Sequence, residues 1–122
     1  PFTAKLNNEY ELPNEENLTF IRKGYENFDF SFPDTRGRIV SLSDPEFQNK
    51  TIIIQIMGTW CPNCLDESKF LVNYLKENPD KEIKVIALAF EVAKTREVAF
   101  QRIKRLKERL GIRYPILLAQ YG

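Results

Sequence analysis

The sequence predicts an α/β domain: a mostly parallel sheet with helices on both faces and a β-hairpin at its entrance. Three observations predict it. The runs TIIIQIM (51–57) and EIKVIALAF (82–90) are strand-sized, rich in β-branched residues and apolar on both faces, as strands covered on both faces are. Helical spacing of apolar residues fills the stretches that follow each of them, and a third short run, YPILLA (114–119), closes the series. Strand, helix, strand, helix, strand implies parallel pairing through right-handed crossovers.

Taken in order, residues 1–27 show no sustained period and are rich in Asn and Glu. They read as an extension or linker, with one short helical turn after Pro13, and the domain is expected over 28–122. In FDFSF, Phe28, Phe30 and Phe32 alternate; the turn PDTRG and the segment RIVSL then complete a hairpin. SLSDPEFQNK is a loop in which Ser43 or Asp44 can cap a short helix starting at Pro45. TIIIQIM is expected at the centre of the sheet. A helix follows from Pro62 to Glu77, stopped by Asn78-Pro79. A second helix over 93–110 carries Ala99, Ile103, Leu106 and Leu110 at three- and four-residue spacing, and Gly111 suits its left-handed end.

Composition narrows the function. A chain of 122 residues suits one domain and one core, and 43% hydrophobic residues exclude global disorder. Net charge is +1, which removes the general case for nucleic acid or an anionic membrane as partner. No apolar run approaches the roughly 20 residues of a spanning helix. Histidine is absent, so Ser–His and Cys–His catalysis and imidazole metal sites are excluded. The charge is uneven: residues 94–109 carry seven bases and two acids. That stretch is either a basic docking face or a solvated helix face, and the second is the simpler reading. The chain opens at Pro1 without a signal peptide, as expected of a mature product or an excised piece.

The chemistry concentrates in GTWCPNCLDE (58–67), which holds both cysteines and the single tryptophan. Cys61 lies just beyond a strand's carboxyl end, where ligands collect in open parallel sheets. With Pro62 at the first helical position, Cys61 falls at or beside the N-cap, facing unpaired N–H groups and the positive end of the helix dipole. Such cysteines have pKa values of roughly 3.5–7.5, against about 8.5 for a free thiol. Cys64 is three residues on, on the same helix face and about 5–6 Å away, a separation a disulfide bridges. It shares that face with Leu71 and Leu75. Cys61 is therefore expected as the exposed attacker and Cys64 as the shielded resolver. A structural staple closing so short a loop stabilises little. A zinc site needs about four ligands, so no metal is expected from two cysteines.

IIIQIMGTWCPNCLDE resembles the active-site region of thioredoxin-like proteins, and more narrowly that of the TlpA-like, redoxin-type thiol–disulfide oxidoreductases of bacterial envelopes. FDFSFPDTRGRIVSLSD resembles that family's entry to the domain, and the likeness runs over about residues 28–122. The resemblance implies a thioredoxin-like fold and an enzyme that exchanges electrons with protein thiols and disulfides, without a cofactor. It makes Cys61 the nucleophile and Cys64 the resolving cysteine, with Trp60, Pro62 and Asn63 on the partner-binding surface. Glu67 takes the position of an acid that assists proton transfer in some members; its plainer reading is a first-turn carboxylate that favours the helix dipole. Gln55 stands where thioredoxins proper carry a buried aspartate, so no acid–base role is open to it. A location in the bacterial periplasm or envelope is implied as well.

Two alternatives accompany this reading. One is a redoxin-type peroxidase, disfavoured because no threonine stands three residues before Cys61; the other is a scaffold that binds partners without turnover. Pro115 is the only proline after residue 79, and it lies in YPILLA rather than in the loop that faces the cysteine pair in thioredoxin-like domains. The domain is therefore expected to be incomplete at its C-terminus, with self-association through the open sheet.

Overall fold

The alternating phenylalanines open the fold, in a hairpin shorter than the sequence suggests. The computed structural model describes all residues except 1, 2, 4, 6, 19 and 26. β1 (Ser31–Pro33) pairs antiparallel with β2 (Ile39–Ser41), Phe32 opposite Val40. Phe28 stays exposed, and pairing reaches back only to Phe30, whose carbonyl accepts from the Leu42 N–H at 3.2 Å. Asp34 shapes the turn, its Oδ1 accepting from the Arg36 and Arg38 N–H groups at 2.8 and 3.0 Å. The described residues before Phe30 are exposed, with one 3-10 turn at Glu15–Asn17 that Asn14 caps at 3.0 Å. At Pro45 the expected short helix is a single 3-10 turn, Pro45–Phe47. Asp44 precedes it but makes no cap; its carboxylate accepts from the Ser41 N–H instead, at 3.2 Å.

β3 (Thr51–Met57), β4 (Ile83–Glu91) and β5 (Ile116–Tyr121) form a parallel sheet, joined by α1 (Pro62–Glu77) and α2 (Arg96–Leu110). α1 has the expected bounds. α2 starts at Arg96 rather than 93 because Thr95 caps it there, its hydroxyl accepting from the Val98 N–H at 3.3 Å. Gly111 ends it at φ 66°, a conformation that glycine adopts without a Cβ penalty.

Two expectations are corrected. Both helices lie on one face of the sheet, not on both. The strand order β3-β4-β5 never reverses, so successive right-handed crossovers carry both helices to the same side. There Leu71, Ala99, Ile103 and Leu106 pack with Val85, Ala87, Ala89, Ile116 and Leu118. The hairpin covers the other face, where Phe30, Val40 and Phe47 close over Ile86, Leu88 and Leu117. Secondly, β4 is central and β3 is an edge strand, with Ile56 59% exposed. In β3, Ile53 and Met57 join the helix-side core, whereas Ile52 and Ile54 meet the hairpin side. A run apolar on both faces thus reports cover above and below the sheet, not the strand's place across it.

Candidate active site

β3 delivers the chain to the site through Gly58, Thr59 and Trp60. Cys61 is the N-cap of α1, extended at φ −95° and ψ 111°, with Pro62 as the first helical residue. Its Sγ accepts from the Cys64 N–H at 3.3 Å, one of the donors that a helix start leaves unpaired. The two sulfurs are joined as a disulfide, across a Cα–Cα separation of 5.3 Å. The contrast in exposure is weaker than expected, since both cysteines are half-buried. Of the two, it is Cys64 that packs against the helix-side core, with Leu71 and Leu75. Pro62 and Asn63 are exposed beside the pair.

The loop ahead of Cys61 is tied to the end of β4. Glu91, only 3% exposed, accepts from the Thr59 N–H at 2.7 Å and the Thr59 hydroxyl at 2.6 Å. The Trp60 indole N–H donates to the Phe90 carbonyl at 2.9 Å, yet the residue remains 58% exposed. Trp60 is held by its edge and open on its face. Gly58 lies beneath it: a Cβ there would run into the indole nitrogen and sit 2.9 Å from the Phe90 oxygen.

Behind Cys64 lies a buried polar group that joins β3, α1 and the loop before β5. Gln55, 3% exposed, donates through Nε2 to Glu67 Oε2 at 2.9 Å and to Ser68 Oγ at 3.1 Å. Its Oε1 accepts from the Tyr114 hydroxyl at 3.3 Å. Ser68 Oγ in turn donates to the Cys64 carbonyl at 2.8 Å. Gln55 carries no proton for the reaction, but it anchors the carboxylate of Glu67. The first-turn reading of Glu67 is corrected: the first turn of α1 holds no acid, and Glu67 lies beyond it, where the dipole's influence has fallen off.

Burial raises the Tyr114 pKa above the ordinary 10.0; the Ser68 hydrogen bond opposes this and the Glu67 charge adds to it. The folded chain therefore keeps a proton that the unfolded chain releases near 10. Stability from this group is complete below about pH 10 and is lost as pH rises through the folded value, by at most about 1.4 kcal/mol per pH unit. Burial lowers the Lys107 pKa below 10.5 and so acts with the opposite sign in the same range. The check is a comparison: urea unfolding of Tyr114→Phe and the parent from pH 9 to 11 should show a smaller alkaline loss in the variant.

Glu91, Ser68 and Tyr114 escaped the sequence reading. For Glu91 a signal existed, as an acid where β4 ends and chemistry collects, but the strand was expected to stop at residue 90. Nothing local in the sequence marks Ser68 or Tyr114. Among the described residues, no group of three or more Cys, Asp or Glu is placed to hold a metal ion, and no helix is long and apolar enough to cross a membrane.

The comparisons with known proteins agree with this arrangement. Thiol-disulfide oxidoreductase ResA of Bacillus subtilis (strain 168) is 24% identical over 98 residues, covering 80% of this chain and 50% of that protein. Thioredoxin-like protein YneN of the same organism is 28% identical over 102 residues, covering 84% of this chain and 56% of its own length. The chain thus spans about half the length of the curated relatives it matches. Among solved structures, a secreted Mycobacterium tuberculosis disulfide oxidoreductase superposes with a TM-score of 0.60 at 15% identity, over 75% of this chain and 60% of that one. At that identity the likeness shows the thioredoxin-like fold. The AhpC/TSA family model matches residues 24–120, most of the chain, and the chain belongs to that family.

Proposed function

We propose that this chain carries the redox centre of a thiol–disulfide oxidoreductase acting on partner proteins. The observation that carries the reading is Cys61 at the N-cap of α1, its sulfur receiving the Cys64 N–H and paired with Cys64 itself. In the reduced protein that N–H and the helix dipole favour the Cys61 thiolate. The thiolate attacks a partner disulfide, forming one S–S bond and releasing one partner sulfur as thiolate, which takes up a proton. Cys64, deprotonated, then attacks Cys61 in the mixed disulfide and releases the second partner thiolate. Two electrons pass to the partner and the Cys61–Cys64 bond reforms. Glu67, whose carboxylate is held by Gln55, accepts the Cys64 proton. Trp60, Pro62 and Asn63 form the surface the partner meets. The sulfurs carry the electrons, so no cofactor takes part.

The resemblance to envelope proteins and the likeness to a secreted oxidoreductase support an exported location. Residues 1–27 act as a linker ahead of the domain at 28–122. Among the described residues no strand pairs with the outer edge of β3, and that edge favours pairing with a second copy of the chain. Light scattering should then show a mass above the monomer that falls in Ile56→Lys, whereas a monomeric parent would refute the pairing.

The function is tested by insulin-disulfide reduction driven by dithiothreitol, alongside hydrogen peroxide consumption. Insulin reduction well above the dithiothreitol background, with slow peroxide consumption, is expected. Fast peroxide turnover would favour the peroxidase instead, and inertness in both assays would favour a binding scaffold.

A further inference from the structure

The basic stretch of α2 does not all face open solvent. Arg102, Arg105 and Arg109, at three- and four-residue spacing, form one stripe along the helix. With Leu106 they line one side of a groove of about 310 Å³ whose other side is Thr59 and Trp60. The groove therefore begins at the residue before Cys61. Leu106 is buried and forms an apolar floor, and the open face of Trp60 forms a wall. The Arg102 guanidinium is fixed, its Nη1 donating to the Val92 carbonyl.

Among the described residues, none of these three arginines is in a salt bridge. Glu91, the acid at the end of β4, is turned inward and occupied by Thr59. Glu108 lines a different groove, with Lys104 and Lys107. Positive charge is thus left uncompensated beside the redox pair. From Arg102 to Arg109 the stripe runs about 10 Å, the length of roughly three extended residues.

We propose that this groove receives an acidic segment of the partner protein, one whose Asp or Glu side chains flank the disulfide presented to Cys61. Carboxylates pair with Arg105 and Arg109 in the fork geometry that guanidinium favours, and an apolar neighbour lies on Trp60 and Leu106. The exchange step itself is the one proposed above, on which this inference rests. The groove adds selection: it raises the encounter rate of acidic disulfides and disfavours basic ones.

Binding and exchange are measured separately. The oxidised protein is titrated with a cysteine-free peptide containing Glu-Ala-Leu-Glu, and with its Lys-Ala-Leu-Lys counterpart, following Trp60 fluorescence. The glutamate peptide should bind and the lysine peptide should not. Arg105→Gln with Arg109→Gln should abolish the binding, whereas Lys84→Gln with Lys104→Gln, which removes the same charge elsewhere, should retain it. In stopped flow, the reduced protein should reduce a Glu-flanked peptide disulfide about tenfold faster than a Lys-flanked one at low ionic strength. That ratio should shrink toward one at about 0.5 M salt as charges are screened. Equal affinity for both peptides, or a preference that survives loss of Arg105 and Arg109, would overturn the groove. Binding of the glutamate peptide without reduction of any disulfide would uphold the groove and refute the exchange chemistry.

Discussion

Cys64→Ser should turn this protein from a turnover catalyst into one that holds its partner. With Cys61 still at the N-cap, attack on a partner disulfide proceeds, but no second sulfur remains to release the mixed disulfide. Non-reducing electrophoresis with a disulfide substrate should show a covalent complex that dithiothreitol dissolves, and insulin reduction should fall to the background rate. Cys61→Ser should reach the same background rate with no complex at all, since a serine hydroxyl is not ionised near neutral pH as a thiolate is. The asymmetry is the test. If Cys61→Ser accumulated the complex and Cys64→Ser did not, the two roles would be exchanged. The half-burial of both cysteines makes this a real question, because exposure alone does not separate them.

Gly58→Ala should disturb the site more than its distance from the sulfurs in sequence suggests. The added methyl meets the Trp60 ring and also the Phe90 carbonyl, at 2.9 Å. Swinging the exposed ring outward relieves only the first contact. The second is backbone, so the end of β4 or the loop itself must shift, at a cost of about 1–3 kcal/mol. That shift strains the Trp60–Phe90 and Thr59–Glu91 hydrogen bonds, which hold the loop in front of Cys61. Trp60 is the only tryptophan, so fluorescence reports on the site directly. We expect a changed emission spectrum, a lower urea midpoint and slower insulin reduction. An unchanged spectrum and midpoint would show that the loop has room for the methyl.

Much of this architecture could be read in one dimension. The helix start at Pro62, the left-handed end at Gly111 and the succession of strands rest on local rules: proline at the first helical position, glycine where φ is positive, apolar spacing along an element. The cysteine pair belongs with these, because three residues along one helix suffice to set a 5.3 Å separation. No distant part of the chain is needed to bring the sulfurs together.

What the tertiary structure alone decided is how separate segments meet. Apolar character records that a strand is covered, not in which order strands lie, so the edge position of β3 and the single helical layer became visible only with the pairing β3-β4-β5. The link from Gln55 to Tyr114 spans 59 positions, and that from Thr59 to Glu91 spans 32. No spacing rule reaches so far. The arginines of α2 make the same point. By sequence, Arg102, Arg105 and Arg109 are one stripe on a basic helix, as a solvated face would be. Only the crossover that lays α2 beside the loop after β3 places that stripe opposite Trp60, because the charge is set by composition but its neighbours are set by packing.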